Sequence, residues 1–210
     1  MNDAGFSNQR IALLSGLVLV GLLGIALPWI LAPSGAMTLN AYDLAEWTSL
    51  HPAQQGTSPP LMTPLMLRLQ PLILSVLLGA IAPAGRMKAA AALMILALAI
   101  AQLPPFEFLY DVNNLNYRQQ FFLAGVSLLA SSILLLFKAR PVSALASFAL
   151  PPIGIATAIY GQSLASQLYH HFELDAAPGA GLWILILSYI GMIAVEVAAL
   201  QRKRRLRSSS

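Results

Sequence analysis

The sequence predicts an all-α, polytopic integral membrane protein with six transmembrane helices, cytoplasmic N and C termini, and a short amphipathic helix on the exterior. Two observations lead to this fold class. Hydrophobic residues make up 58% of the 210 residues and charged residues only 10%, a composition whose apolar surface a soluble domain could not bury. The basic residues also flank the apolar runs so that nearly all of them fall on one side of a bilayer.

Six apolar segments, each bounded by charge, proline or glycine, approach or exceed the ~20 residues that cross a bilayer. The predicted spans are residues 11–32, 61–83, 87–103, 119–137, 141–160 and 181–200. The first follows Arg10 and is longer than the ~7–15 apolar residues of a signal peptide, so we interpret it as a retained span. Residues 1–210 then form a single membrane domain. Its exterior loops are 33–60, 104–118 and 161–180, and its basic cytoplasmic tail is 201–210.

The second segment is the least regular, because Pro59 and Pro60 open it, Pro71 interrupts it and Arg68 lies inside it. Charge nevertheless favours a crossing. With six spans, ten of the twelve Lys and Arg residues face the cytoplasm, and only Arg68 and Arg118 face the exterior. If this segment did not cross, every later loop would change sides and the charge rule would be inverted.

The exterior loops hold most of the acidic residues and one predicted helix. Six of the eight acids lie there: Asp43, Glu46, Glu107, Asp111, Glu173 and Asp175. Asn40 is placed to cap a helix running from Ala41 to about Leu50, with Asp43 in its first turn. The apolar face of that helix predicts that it lies on the outer leaflet, and a helix packed over the span ends is the alternative.

Arg68 is the strongest candidate for a functional side chain. An arginine inside a span costs about 2.5 to 3.5 kcal/mol on insertion scales unless it reaches water or a partner. It could snorkel to the exterior surface, pair with an exterior acid such as Asp111 or Asp43, or recognise an anionic substrate or lipid head group. For the other intramembrane charge, Glu196, we expect local pairing with the basic tail.

Catalytic and metal signatures are weak. His51, His170, His171 and Glu173 are weak metal candidates, but neighbouring histidines on a helix point about 100° apart, so a solvated cluster is the simpler interpretation. The chain has no cysteine and no histidine inside a predicted span, which disfavours disulfide, thiolate and membrane haem chemistry. We therefore predict no enzymatic activity and no cofactor.

The basic tail is predicted to anchor the topology. Its residues Arg202, Lys203, Arg204 and Arg205 could also hold anionic lipid head groups, each contributing about 1 kcal/mol near the surface. Nucleic acid is not an expected partner, because the basic residues lie in short loops and a tail beside apolar segments.

The leading hypothesis for function is a non-catalytic subunit in the cell (inner) membrane. It would contact the lipid bilayer, pack against other integral membrane subunits of a larger complex and present its exterior face to partners. The alternative is a small transporter or substrate-capture component with a site near Arg68 and the fifth span, which Pro151 and Pro152 should kink. A third hypothesis, an exterior metalloenzyme, would use the histidines.

Overall fold

The computed structural model describes residues 3–31, 38–82, 85–137, 140–171 and 177–208. Seven α-helices lie in these residues: α1 (Asp3–Ala26), α2 (Ala41–Ser49), α3 (Met62–Ile81), α4 (Arg86–Ala101), α5 (Leu115–Phe137), α6 (Arg140–His171) and α7 (Ala180–Ser208). Three two-residue strands are also present: β1 (Ile30–Leu31), β2 (Thr38–Leu39) and β3 (Ala177–Pro178). Short 3-10 helices lie at Pro52–Gln54 and Phe106–Leu109.

Five of the described helices, α1, α3, α5, α6 and α7, are long and apolar enough to cross a membrane. The chain is therefore a predominantly helical, multi-pass membrane protein, as its composition predicts. Helix α4 is also rich in apolar residues, but it has 16 residues and is about 24 Å long at ~1.5 Å per residue. That is shorter than the ~30 Å hydrocarbon core of a typical bilayer.

Helix α3 lies at the centre of the bundle and contacts α1, α2, α4, α5 and α6. It runs parallel to α5, and the hydroxyls of Ser75 and Ser131 are 2.9 Å apart at that contact. It runs antiparallel to α6, where Gln70 donates from Nε2 to Thr157 Oγ1 at 2.9 Å. Gln70 also accepts from the hydroxyl of Tyr189 on α7 at 3.1 Å, so one buried amide joins three helices.

Helices α1 and α7 are antiparallel neighbours. At one end, Gly24 and Gly181 allow close approach, because a Cβ on either would meet the backbone of the other helix. At the other end, Arg10 forms a bidentate ion pair with Glu196. The expected local partners of Glu196 were the tail basic residues; the structure instead places it against Arg10, 186 positions away in sequence.

The end of the bundle opposite Arg10 is covered by α2 and by the small sheet. Strand β1 pairs antiparallel with both β2 and β3. Helix α1 ends at Ala26 rather than at residue 32, since Pro28 cannot donate a helix hydrogen bond and the chain turns into β1. Trp29 is fully buried and donates from Nε1 to the Gly24 carbonyl at 2.9 Å.

Helix α2 has the predicted cap, since the Asn40 side chain accepts from the backbone N–H groups of Tyr42 and Asp43 at 2.9 and 3.0 Å. It packs over the helix ends, as in the alternative interpretation. Its buried face comprises Ala41, Leu44, Ala45, Thr48 and Ser49. On its other flank, Trp47 stacks on Tyr169 of α6 with ring centroids 4.3 Å apart.

Four helices extend beyond the predicted spans by several residues. Helix α1 begins before residue 11, where its predicted span starts. Helix α5 begins at Leu115, where the Asn114 side chain accepts from the backbone N–H of Asn116 at 3.0 Å. Helix α6 continues through its polar segment to His171, and α7 continues into the basic tail to Ser208. Polar side chains do not prevent helix formation, so hydropathy alone makes these helices too short at those ends.

Candidate functional site

Arg68 lies in α3 with only 4% of its surface exposed, although it is charged. Its Nη2 donates to Glu46 Oε1 at 2.6 Å and to Asn116 Oδ1 at 2.7 Å, and its Nη1 donates to Gln119 Oε1 at 2.9 Å. The guanidinium therefore joins α2, α3 and α5. Hydrogen bonds to ionised groups are among the stronger protein contacts, and here they offset the cost of burying a cation.

Glu46 completes this group from α2. Besides Arg68, it accepts from Gln120 Nε2 at 2.6 Å and from Asn116 Nδ2 at 3.3 Å. We call Glu46, Arg68, Asn116, Gln119 and Gln120 the Arg68 network. It contains one positive and one negative charge and is neutral overall. The Glu46 side chain is 34% exposed, whereas the Arg68 guanidinium is buried.

The carboxylate paired with Arg68 is thus Glu46, rather than Asp43 or Asp111. Asp43 lies in the first turn of α2, and Asp111 accepts from Asn114 Nδ2 at 3.1 Å outside the network. The sequence places Glu46 in an exterior loop but does not pair it with Arg68. Glu46 lies off the apolar face of α2, and so does Asp43, so this pattern does not distinguish the two.

A cavity of about 330 Å³ adjoins the network. Most of its lining side chains are apolar, and they come from α1, α2, α3, α4 and α5. The lining comprises Ile25, Ala26, Asn40, Ala41, Tyr42, Leu67, Arg68, Pro71, Leu98, Ala101, Gln102, Gln120 and Leu123. Arg68 and Gln120 belong to both the network and the cavity wall.

The short length of α4 accounts for this cavity. Gln102, the residue after its last turn, donates to Ser127 Oγ at 3.4 Å. Ser127 lies about 18 Å along α5 from Leu115 at ~1.5 Å per residue. The C-terminal end of α4 therefore lies beside the middle of α5. This leaves space between α1, α3 and the first turns of α5.

Three polar atoms of the cavity-lining residues lack a hydrogen-bond partner among the described residues: Arg68 Nε, Gln102 Oε1 and Gln120 Oε1. The other two such buried side-chain atoms in the described ranges are Gln162 Oε1 and the Tyr169 hydroxyl, both on α6. A buried polar group without a partner costs about 1 to 3 kcal/mol. Such groups beside a cavity are typical of a binding site.

The orientation of the two amides follows from their neighbours. Gln120 faces the Glu46 carboxylate and Gln102 faces the Leu98 carbonyl, at 2.6 and 3.0 Å. Both neighbours only accept hydrogen bonds, so each amide must present its NH₂ group there and keep its oxygen unpaired. Residues of the cavity wall thus hold one unpaired donor and two unpaired acceptors, all three covered by neighbouring atoms.

Tyr42 also lines the cavity, at the first turn of α2. Burial, followed by the charge of Glu46, raises the pKa of the Tyr42 phenol above its ordinary value. The phenol therefore stays neutral at physiological pH and adds no charge to the site.

The histidine candidates lie apart from this cavity. His51 accepts from the backbone N–H of Ala53 through Nδ1 at 3.2 Å, and His170 and His171 end α6. Glu173 and Asp175 lie outside the described residues. Within the described part of the chain, no group of three or more metal-ligating side chains lies close enough to hold an ion.

The basic tail residues and the two prolines of α6, which the sequence also marks as candidates, lie away from the cavity. Residues 202–205 form part of the last turns of α7, with Arg204 and Arg205 exposed. Pro151 and Pro152 lie inside α6, which packs on α3 through Thr157 and adds no residue to the cavity wall. Arg68 and the fifth predicted span therefore do not meet at one cavity.

No protein-family model, curated protein or solved structure matches this chain.

Proposed function

We propose that this chain is a non-catalytic multi-pass membrane protein that captures a small ligand in the cavity beside Arg68. One observation carries the proposal: Arg68, Gln102 and Gln120 all line the same cavity, and each has a buried polar atom without a partner. An apolar cavity with a few convergent polar groups is the usual form of a small-molecule site.

The arrangement of charge supports binding rather than catalysis. The Arg68 guanidinium and the Glu46 carboxylate are 2.6 Å apart and fix each other through a direct ion pair. Neither is then free to act as an acid, a base or a nucleophile, and the remaining lining groups are amides, a neutral phenol and apolar side chains. Such groups select and orient a ligand.

In the proposed topology the chain crosses the cell (inner) membrane six times, and both termini lie in the cytoplasm. Two features support it. Arg10 of α1 pairs with Glu196 of α7, so the two terminal helices begin and end at the same end of the bundle, which requires an even number of passes. The short helix α4 connects α3 with the parallel helix α5, so it serves as the return pass.

This topology has a direct test, because the chain lacks cysteine and single-cysteine variants carry one reactive thiol. With an impermeant maleimide on intact cells, Asn113→Cys should be labelled and Ser208→Cys should react only after lysis. Labelling of Ser208→Cys in intact cells would contradict the topology.

Ligand capture is tested by native mass spectrometry of the protein purified in mild detergent. Ala101 lines the cavity, and Ala97, one turn earlier on α4, is exposed and outside it. We expect a one-to-one adduct on the wild type and on Ala97→Phe, and its loss from Ala101→Phe. No adduct, or an adduct that Ala101→Phe leaves unchanged, would contradict capture at this cavity.

The accessory-subunit hypothesis from the sequence stays a prediction. It expects co-purification with other integral membrane chains in mild detergent, and a consistently solitary protein would count against it. Ligand capture and membership of a larger complex are compatible, so each is judged by its own experiment.

A further inference from the structure

We infer that the captured ligand is a single-chain lipid with an uncharged, hydroxyl-bearing head group. The head would lie beside Arg68, Gln102 and Gln120, and the chain would lie in the groove between α1 and α4. This inference rests on the proposed function and specifies its ligand.

The shape of the apolar space favours an elongated ligand. A second depression, of about 140 Å³, lies between the same helices α1, α3 and α4, toward the Arg10 end. Its lining includes Leu19, Leu78 and Met94. Among the described residues α1 and α4 make little direct contact, so the cavity and the depression lie along one groove over α3. An elongated apolar chain fits that outline better than a compact solute.

The apolar space is open at its edges, which gives a lipid a route of entry. Leu19 and Met87, at the edges of the depression, are 51% and 56% exposed, and Ala26 and Ala101 at the edges of the cavity are also exposed. These residues belong to helices α1 and α4, whose outward faces contact lipid in a membrane protein. The groove therefore opens sideways to the bilayer, from which a lipid can enter without crossing water.

Charge favours an uncharged head group. Arg68, which lines the cavity, is already neutralised by Glu46 at 2.6 Å. The cavity therefore offers no uncompensated charge, and a charged head group would lose its hydration there without gaining a counter-ion.

Hydrogen bonding favours a hydroxyl. Residues of the wall hold one unpaired N–H donor, Arg68 Nε, and two unpaired carbonyl acceptors, Gln102 Oε1 and Gln120 Oε1, each covered by neighbouring atoms, so a small side-chain rotation must bring it to a ligand. A hydroxyl both donates and accepts, so it can pair with either kind of atom. The cavity volume of about 330 Å³ lies at the small end of the ~300–1,000 Å³ typical of ligand sites. A small head with the upper part of one chain suits that size.

The test uses the full chain in phosphatidylcholine nanodiscs that contain a diazirine-bearing monoacylglycerol. A second preparation contains the matching monoacylglycerol phosphate, which has the same chain and an anionic head. After photolysis, peptide mapping locates the labelled segments, and a tenfold excess of unlabelled monoacylglycerol tests whether labelling is saturable.

We expect saturable labelling of α1, α3 and α4 residues at the cavity by the monoacylglycerol, at least fivefold above labelling by the phosphate. Ala101→Phe and Ala26→Phe, which fill the cavity from opposite walls, should remove it, and Ala89→Phe, on the exposed face of α4 turned away from the groove, should not. The competition experiment requires no variant, so poor folding of either cavity variant leaves the test intact.

The contrary outcomes separate the two proposals. Equal or stronger cavity labelling by the phosphate overturns the uncharged head group and leaves ligand capture standing. No saturable labelling by either lipid, together with an adduct that Ala101→Phe removes, overturns the lipid assignment alone. No saturable labelling and no adduct overturn both.

Discussion

Two arginine–glutamate ion pairs lie at opposite ends of this bundle, and they differ in what they leave unpaired. Arg10 binds Glu196 through both Nε and Nη2, at 2.6 to 3.2 Å. Arg68 binds Glu46, Asn116 and Gln119 through its two Nη atoms, and its Nε has no partner among the described residues. The first pair closes the contact between α1 and α7, and the second leaves a donor beside a cavity.

The two pairs also differ in which partner is buried. In the Arg68–Glu46 pair the arginine side chain is 4% exposed and the glutamate 34%, whereas in the Arg10–Glu196 pair the arginine is 30% exposed and the glutamate 9%. The loss of one partner is costly when the charge that remains is buried. The structure therefore predicts that replacing the glutamate is the more destabilising change in the Arg68–Glu46 pair. In the Arg10–Glu196 pair, replacing the arginine should be the more destabilising change.

The largest effect is expected at Glu46. Glu46→Gln removes the carboxylate opposite a guanidinium that is 96% buried, and should lower the free energy of unfolding by about 3 kcal/mol. Arg68→Gln leaves a carboxylate that water and Gln120 can still solvate, so it should cost about 1 kcal/mol. Reversible unfolding in mixed micelles of a mild detergent and SDS measures both. Equal losses, or a larger loss in Arg68→Gln, would contradict this description of the Arg68–Glu46 pair.

At the other end the order should reverse, with smaller magnitudes. Arg10→Gln leaves the buried Glu196 without a cation and should cost about 2 kcal/mol, because the pair is only partly buried. Glu196→Gln leaves a partly exposed arginine and should cost about 1 kcal/mol or less. The same unfolding assay applies. If Glu196→Gln proves the more damaging change, the comparison of the two ends fails.

We expect substitution of Gln102 to have the smallest effect on stability and the largest effect on ligand binding. Gln102→Leu loses its hydrogen bonds to Leu98 and Ser127 but also removes an unpaired oxygen, so stability should change by about 0.5 kcal/mol or less.

Gln162→Leu is the matched control, since Gln162 on α6 is equally buried, also has an unpaired oxygen and lies outside the cavity. Native mass spectrometry should show at least a fivefold loss of adduct in Gln102→Leu and none in Gln162→Leu. Equal retention in the two variants would remove Gln102 from the site.

The sequence predicts the parts of this molecule that depend on local chemistry. Hydropathy identifies the long apolar helices, the Asn40 side chain identifies the start of α2, and the cost of a charge in a span identifies Arg68. Each of these features depends on a single residue or segment and on whether that residue or segment lies in water or in lipid.

The parts that depend on packing could not be predicted. Asp43 and Glu46 are one turn apart on α2, and only the orientation of α2 over α3 decides which of them meets Arg68. The partner of Glu196 is far away in sequence. The cavity exists because α4 ends at Ala101, although hydropathy extends the predicted span to residue 103.

Ligand capture is tested most directly by cryo-electron microscopy of the wild type in lipid nanodiscs, at a resolution that shows side chains and bound lipid. We expect elongated non-protein density over α3, between α1 and α4, with its polar end within hydrogen-bond distance of Arg68 Nε. A cavity filled by protein side chains, or an Arg68 Nε paired within the protein, would contradict capture at this cavity.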